Sequence, residues 1–245
     1  MSSGFPQNDY RNSTLEYSDP FAALAKADER SAFIVRTYMN LAAAIFALVA
    51  IEVVLFQIPG IEQLALLMAG SHISWLVVLG LFMGVSAIAN SWALNATDIK
   101  MQYAGLGLYV VAQAFILLPL LFYAYLRVPG AIFTAAGTTF ALFGILTGVV
   151  FFTRQDFSFL RSILMFGGIA ALGFIVVSLL FQFSLGPIFA YAMVALLCCS
   201  ILYDTSNVLH HYRTSQHAAA ALALFASIAT LFWYILQIFL SSQRD

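Results

Sequence analysis

An all-α integral membrane protein, a bundle of seven transmembrane helices, is the fold class this sequence predicts. Two observations carry the prediction: the composition, and the length of the apolar runs. Of 245 residues, 62% are hydrophobic and only 9% are charged, against roughly a quarter charged in an ordinary soluble domain. A bilayer core of about 30 Å needs roughly 20 apolar residues per helix. Seven stretches meet that length: 37–58, 73–94, 103–125, 130–152, 162–183, 188–209 and 218–240.

The first segment follows a polar stretch of mixed charge, residues 1–32, which is expected to be a disordered cytoplasmic tail; residues 33–245 form the transmembrane domain. Low hydrophobicity and scattered Ser, Asn and Asp are the reason for that expectation. Pro59-Gly60 ends the first segment. The second carries Gly80 and Gly84 and the fourth Gly144 and Gly148, a small-residue spacing that predicts close helix contact. In the third, Pro119 removes a backbone donor and is expected to kink the helix. The fourth and fifth are joined by the polar string 153–161, the fifth and sixth by Gly186-Pro187. In the sixth, Cys198 and Cys199 are adjacent and point in different directions, so they read as small core residues rather than a disulfide. The seventh follows a solvated, His-bearing connection, 210–217. All connections are short, so successive helices should be antiparallel neighbours.

Basic residues orient the bundle. Arg11, Lys26, Arg30, Arg36, Lys100, Arg154, Arg161 and Arg213 fall on the tail side, and only Arg127 and Arg244 on the other. The N-terminus is therefore expected in the cytoplasm and the C-terminus outside. Ten Lys and Arg against eleven Asp and Glu give no basic surface for nucleic acid. No phosphate loop, dinucleotide fingerprint, nucleophile elbow or zinc-protease motif occurs, so neither enzymatic activity nor a bound cofactor is expected. The adjacent His210 and His211, with His217, lack the i, i+4 spacing of a metal site.

Ionisable groups at membrane depth are costly, and two acids stand there. Glu52, in the outer half of the first helix, has only Gln57 as polar company nearby and is a candidate pathway acid. Asp204, near the cytoplasmic end of the sixth, belongs to Tyr203-Asp204-Thr205-Ser206-Asn207, a dense run of hydrogen-bonding side chains that can hold a carboxylate. The two acids are not expected to touch.

Three strings together resemble the Bax inhibitor-1 family, also called the transmembrane Bax inhibitor motif family, and within it the bacterial YccA-type branch. They are Arg36-Thr37-Tyr38, then Phe152-Thr153-Arg154-Gln155-Asp156-Phe157-Ser158-Phe159-Leu160, then the run around Asp204. The second, with Arg154 and Asp156, is the most specific. The resemblance implies a bundle with a central helix surrounded by the others. It also implies, as in some relatives, a pH-sensitive calcium leak in which an Asp matching Asp204 shares a proton with an acid on the last helix. Here the matching position is Ser227, so a two-carboxylate latch is not available. Candidate pathway or gate residues are thus Asp204, Glu52, Ser227, Tyr203 and Asn207, with Ca2+ as the permeant or weakly bound ion. The YccA-type branch implies an alternative: modulation, through the N-terminal tail, of a membrane-bound AAA protease in a bacterial inner membrane. A small-molecule transporter ranks last, because Glu52, Asn90, Gln113, Gln182 and Asp204 make a thin polar lining.

Overall fold

The computed structural model describes residues 20–95 and 98–242. Eight helices follow one another: α1 (Ala27–Leu55), α2 (Ile61–Ala69), α3 (His72–Ala93), α4 (Ile99–Arg127), α5 (Ala131–Thr153), α6 (Leu160–Phe181), α7 (Gly186–His210) and α8 (His217–Ser242). All but α2 are long and apolar enough to cross a bilayer.

Helix α1 begins ten residues before the first apolar segment. Asp28 and Glu29 sit in its first turn, where acidic side chains complement the positive end of the helix. Residues 20–26 are also structured: Ala22 N–H donates to the Tyr212 carbonyl (2.8 Å), Thr214 N–H to the Pro20 carbonyl (3.2 Å), and Arg213 lies over the Phe21 ring. The expected tail is thus ordered from Pro20 onward, while residues 1–19 lie outside the described part. Helix α2 was not expected. Its nine residues span about 14 Å at 1.5 Å each, too short to cross. Gly60, with φ +85°, turns the chain into it; Ala65 and Met68 are its buried residues, and Ala65 packs with Leu55, Ala114 and Leu118.

The centre of the bundle is α8, which packs on α1, α3, α4, α5 and α7. Its small residues Ala218 to Ala221 are almost wholly buried, as are Leu224, Phe225, Leu231 and Leu236. Around it, α1 meets α4, α4 meets α3, α3 meets α6, α6 meets α7 and α7 meets α5. The outer surface is apolar, with Phe152, Phe133 and Ile188 more than 80% exposed. Such a surface is compatible with lipid and not with water.

Two packing expectations are corrected. A Cβ placed at Gly80, Gly84, Gly144 or Gly148 would meet nothing within 4 Å, so these glycines face outward. The close crossing is at Gly105 of α4, where a Cβ would come within 2.5 Å of the Ala89 carbonyl and 2.6 Å of the Ala93 nitrogen. Spacing alone does not tell which side of a helix faces its neighbour. Pro119 lies within helix α4, which continues on both sides of it.

Candidate functional site

Asp204 lies on α7 about 9 Å before its end. Two serines from different helices meet its Oδ2. Ser227 Oγ of α8 donates to it at 2.6 Å, and Ser200 Oγ, one turn back on α7, lies 3.4 Å away. The two hydroxyls are 2.9 Å apart. Since Ser227 spends its single proton on the carboxylate, Ser200 must be the donor between the serines. A chain from Ser200 through Ser227 to Asp204 results, in which each bond polarises the next.

From Ser227 a polar row continues along the same face of α8. Thr230, Tyr234 and Gln237 follow at steps of three, four and three residues, which keeps them on one side of a helix with 3.6 residues per turn. The row covers about 15 Å. It opens into a cavity of about 380 Å³ whose polar lining is Gln113, Ser178, Ser184, Thr230, Tyr234 and Gln237. Gln113 is buried and its Oε1 has no hydrogen-bond partner. Thr230 gives its proton to the Ala226 carbonyl, so its oxygen keeps lone pairs toward the cavity.

Glu52 is placed elsewhere. It is buried in the last turn of α1, and neither carboxyl oxygen has a hydrogen-bond partner among the described residues. Gln57, its expected companion, instead donates to the Val53 carbonyl. Glu52 faces Phe225, Ile228, Ala229 and Phe232 of α8, the side away from Ser227 and Thr230. The two acids do not touch, as expected.

The three sequence strings converge at the Asp204 end. Phe157 N–H donates to Ser206 Oγ at 2.9 Å, and Asp156 Oδ1 lies 3.5 Å from the same hydroxyl. Asp156 Oδ2 is 3.6 Å from His211 Nε2. Slight desolvation pulls the Asp156 carboxyl upward, but the Ser158 N–H and the His211 and His210 charges outweigh it and hold the group below the usual carboxylate range. Tyr38 brings in the first string by packing its ring on Phe151, 5.9 Å between centroids. Arg154 ends α5 in the left-handed region, φ 52°. Tyr203, beside Asp204, is partly buried, and Asn207 accepts the His211 and Tyr212 N–H groups through its carbonyl.

Sequence reasoning missed Ser200, although its i−4 position relative to Asp204 was readable, and it missed the α8 row. It also placed His210 and His217 in a solvated loop. His210 instead ends α7 with Nδ1 3.0 Å from the Ser206 carbonyl oxygen, and His217 is buried against Asn40. Cys198 and Cys199 are free and partly buried.

Seven apolar crossings around a partly buried carboxylate with its own hydroxyl donors define a multi-pass α-helical membrane protein with a polar interior site. Residues 30–245 match the sequence profile of the family described as Inhibitor of apoptosis-promoting Bax1, and the chain belongs to this Bax inhibitor family. It is also similar to an uncharacterized protein of Pseudomonas aeruginosa, 33% identical over 164 residues that cover 65% of this chain and 69% of that one.

Proposed function

We propose that this protein is a non-enzymatic regulator of a bacterial inner membrane that leaks cations, calcium foremost, along the polar face of α8, with Asp204 as the gate. The observation that carries this reading is that Ser227, bonded to Asp204, shares one face of α8 with Thr230, Tyr234 and Gln237, which line the cavity that holds Gln113. Hard divalent cations are coordinated by such carboxylate, amide and hydroxyl oxygens. With Ser227 in place of a second acid, the gate is a single hydrogen bond. A cation arriving at Oδ2, or a proton taken up there, competes with the Ser227 hydroxyl and loosens α7 from α8.

Reconstitution in liposomes with an enclosed calcium dye, at two pH values, tests this. Wild type should leak at a rate that changes with pH, and Asp204→Ala should abolish the change. Equal flux in both proteins at both pH values refutes the channel reading.

A second reading, modulation of a membrane AAA protease as in the YccA-type branch, is favoured by the pinning of Pro20 and Ala22 to residues 212–214. A pull on the segment before Pro20 would act directly on the α7–α8 connection. Deleting residues 1–19 should lengthen or shorten the protein's half-life in cells without changing flux; an unchanged half-life contradicts this reading.

A further inference from the structure

Between α1 and α5 lies a cleft of about 560 Å³, floored by Leu117 and Leu121 of α4 and by Phe225, Ile228 and Phe232 of α8. The two flanking helices touch at Tyr38 and Phe151 and stand apart toward the other end, where Val53 and Phe133 form the rims. Those rims are exposed, Val53 at 55% and Phe133 at 84%, so the cleft opens sideways into the bilayer. Along α1 it runs from Ile45 to Val53, about 12 Å at 1.5 Å per residue, and on to Phe56 and Gln57 just past the helix end.

Its walls are mostly apolar, and of the three polar side chains that line it, Glu52, Gln57 and Thr139, only Glu52 is left without a hydrogen-bond partner among the described residues. Glu52 is 8% exposed, and both carboxyl oxygens lack a partner. An unpaired buried carboxyl is costly in either protonation state. Among the described residues no Lys, Arg or His lines the cleft, Gln57 donates to the Val53 carbonyl, and Thr139 gives its proton to the Ala135 carbonyl. Glu52 also stands at the negative end of α1, whose last turn has no basic residue, which adds to the pull on a cation.

We infer that the α1–α5 cleft is a binding site for a bilayer lipid bearing a primary amine, whose acyl chain fills the apolar groove and whose ammonium group pairs with Glu52. Position supports the match. Glu52 is one turn from the end of α1, whose 29 residues exceed the roughly 20 that cross a bilayer core, so that end reaches toward the headgroups, and the apolar groove runs from it toward the bilayer middle. An ammonium with N–H donors satisfies both oxygens; an anionic headgroup is repelled, and a quaternary ammonium carries charge without a donor.

Native mass spectrometry of the full chain in detergent, titrated with phosphatidylethanolamine, phosphatidylglycerol or phosphatidylcholine of matched chains, tests the proposal. Wild type should retain the ethanolamine lipid about tenfold more strongly than either other lipid, the size of one charge-assisted hydrogen bond. Glu52→Gln should erase that preference, and Ala136→Phe, which fills the groove and leaves Glu52 intact, should weaken retention of all three. Melting curves confirm that both variants fold. Annular lipid only, meaning no preference in wild type or the same preference in Glu52→Gln, overturns the proposal. So does unchanged retention in Ala136→Phe.

Discussion

Asp204, partly buried, and Glu52, buried, lie on opposite sides of α8, and the fold treats them differently. Around Asp204, two helices bring hydroxyls within reach of one oxygen, and polar groups continue away from it. Around Glu52, the same central helix offers Phe225, Ile228 and Phe232, and both oxygens go unpaired. Burial alone therefore does not assign a role to a membrane acid. A carboxylate with donors belongs to the protein's own polar route, and one without them is a site waiting for an outside partner.

The sharpest way to break this contrast is to change what faces Asp204. Ser227→Asp puts a second carboxyl where a 2.6 Å bond now stands, and two acids that close titrate as a unit with separated apparent pKa values. Liposome flux in this variant should show an additional pH step that wild type lacks; superimposable profiles would show that position 227 does not face the route. Next in size, Ser227→Ala leaves Asp204 with only the 3.4 Å contact to Ser200. Loss of a donor to a buried charge costs about 1–3 kcal/mol, visible as a lower melting temperature in detergent.

At the other acid the sign reverses. Glu52→Leu removes an unpaired buried carboxyl and should raise the melting temperature in detergent free of amine lipid, by the equivalent of about 1–2 kcal/mol. A lower melting temperature would mean that Glu52 is satisfied by the protein after all.

The smallest effect concerns the loop that docks beneath Asp204. The carboxyl of Asp156 is held below its ordinary value by the Ser158 N–H and the neighbouring histidines. Its contribution is therefore present above the unfolded carboxylate pKa, about 4, and is lost as pH falls through the lowered folded value. The pair with His211 is about half exposed on each side, so about 0.2–1 kcal/mol is at stake. Hydrogen exchange at the Phe157 amide should quicken on acidification, and Asp156→Asn should quicken it at neutral pH already.

Most of the architecture was legible because a bilayer sets one length for every crossing, and seven apolar runs of that length were plain. Helix α2 was not, since nine residues buried on one face fall below that length. The glycine pairs misled because spacing names a stripe without its direction, whereas the close crossing falls at Gly105, which has no such partner pattern to announce it. At the site, Asp204 and Ser227 were readable as a pair through family resemblance. The joining of Phe157 to Ser206 and of Asp156 to His211 depends on how α7 meets the α5–α6 loop, and no local pattern encodes it. Glu52 was visible as an acid at depth, but its lack of partners is a property of four helices at once.

The most direct test compares calcium flux through Asp204→Asn and Glu52→Gln in identical liposomes lacking amine lipid. If the polar face of α8 is the route, Asp204→Asn changes flux about tenfold or more, as loss of a charged cation ligand should, and Glu52→Gln leaves it at the wild-type rate. A large effect at Glu52 with none at Asp204 would contradict the account.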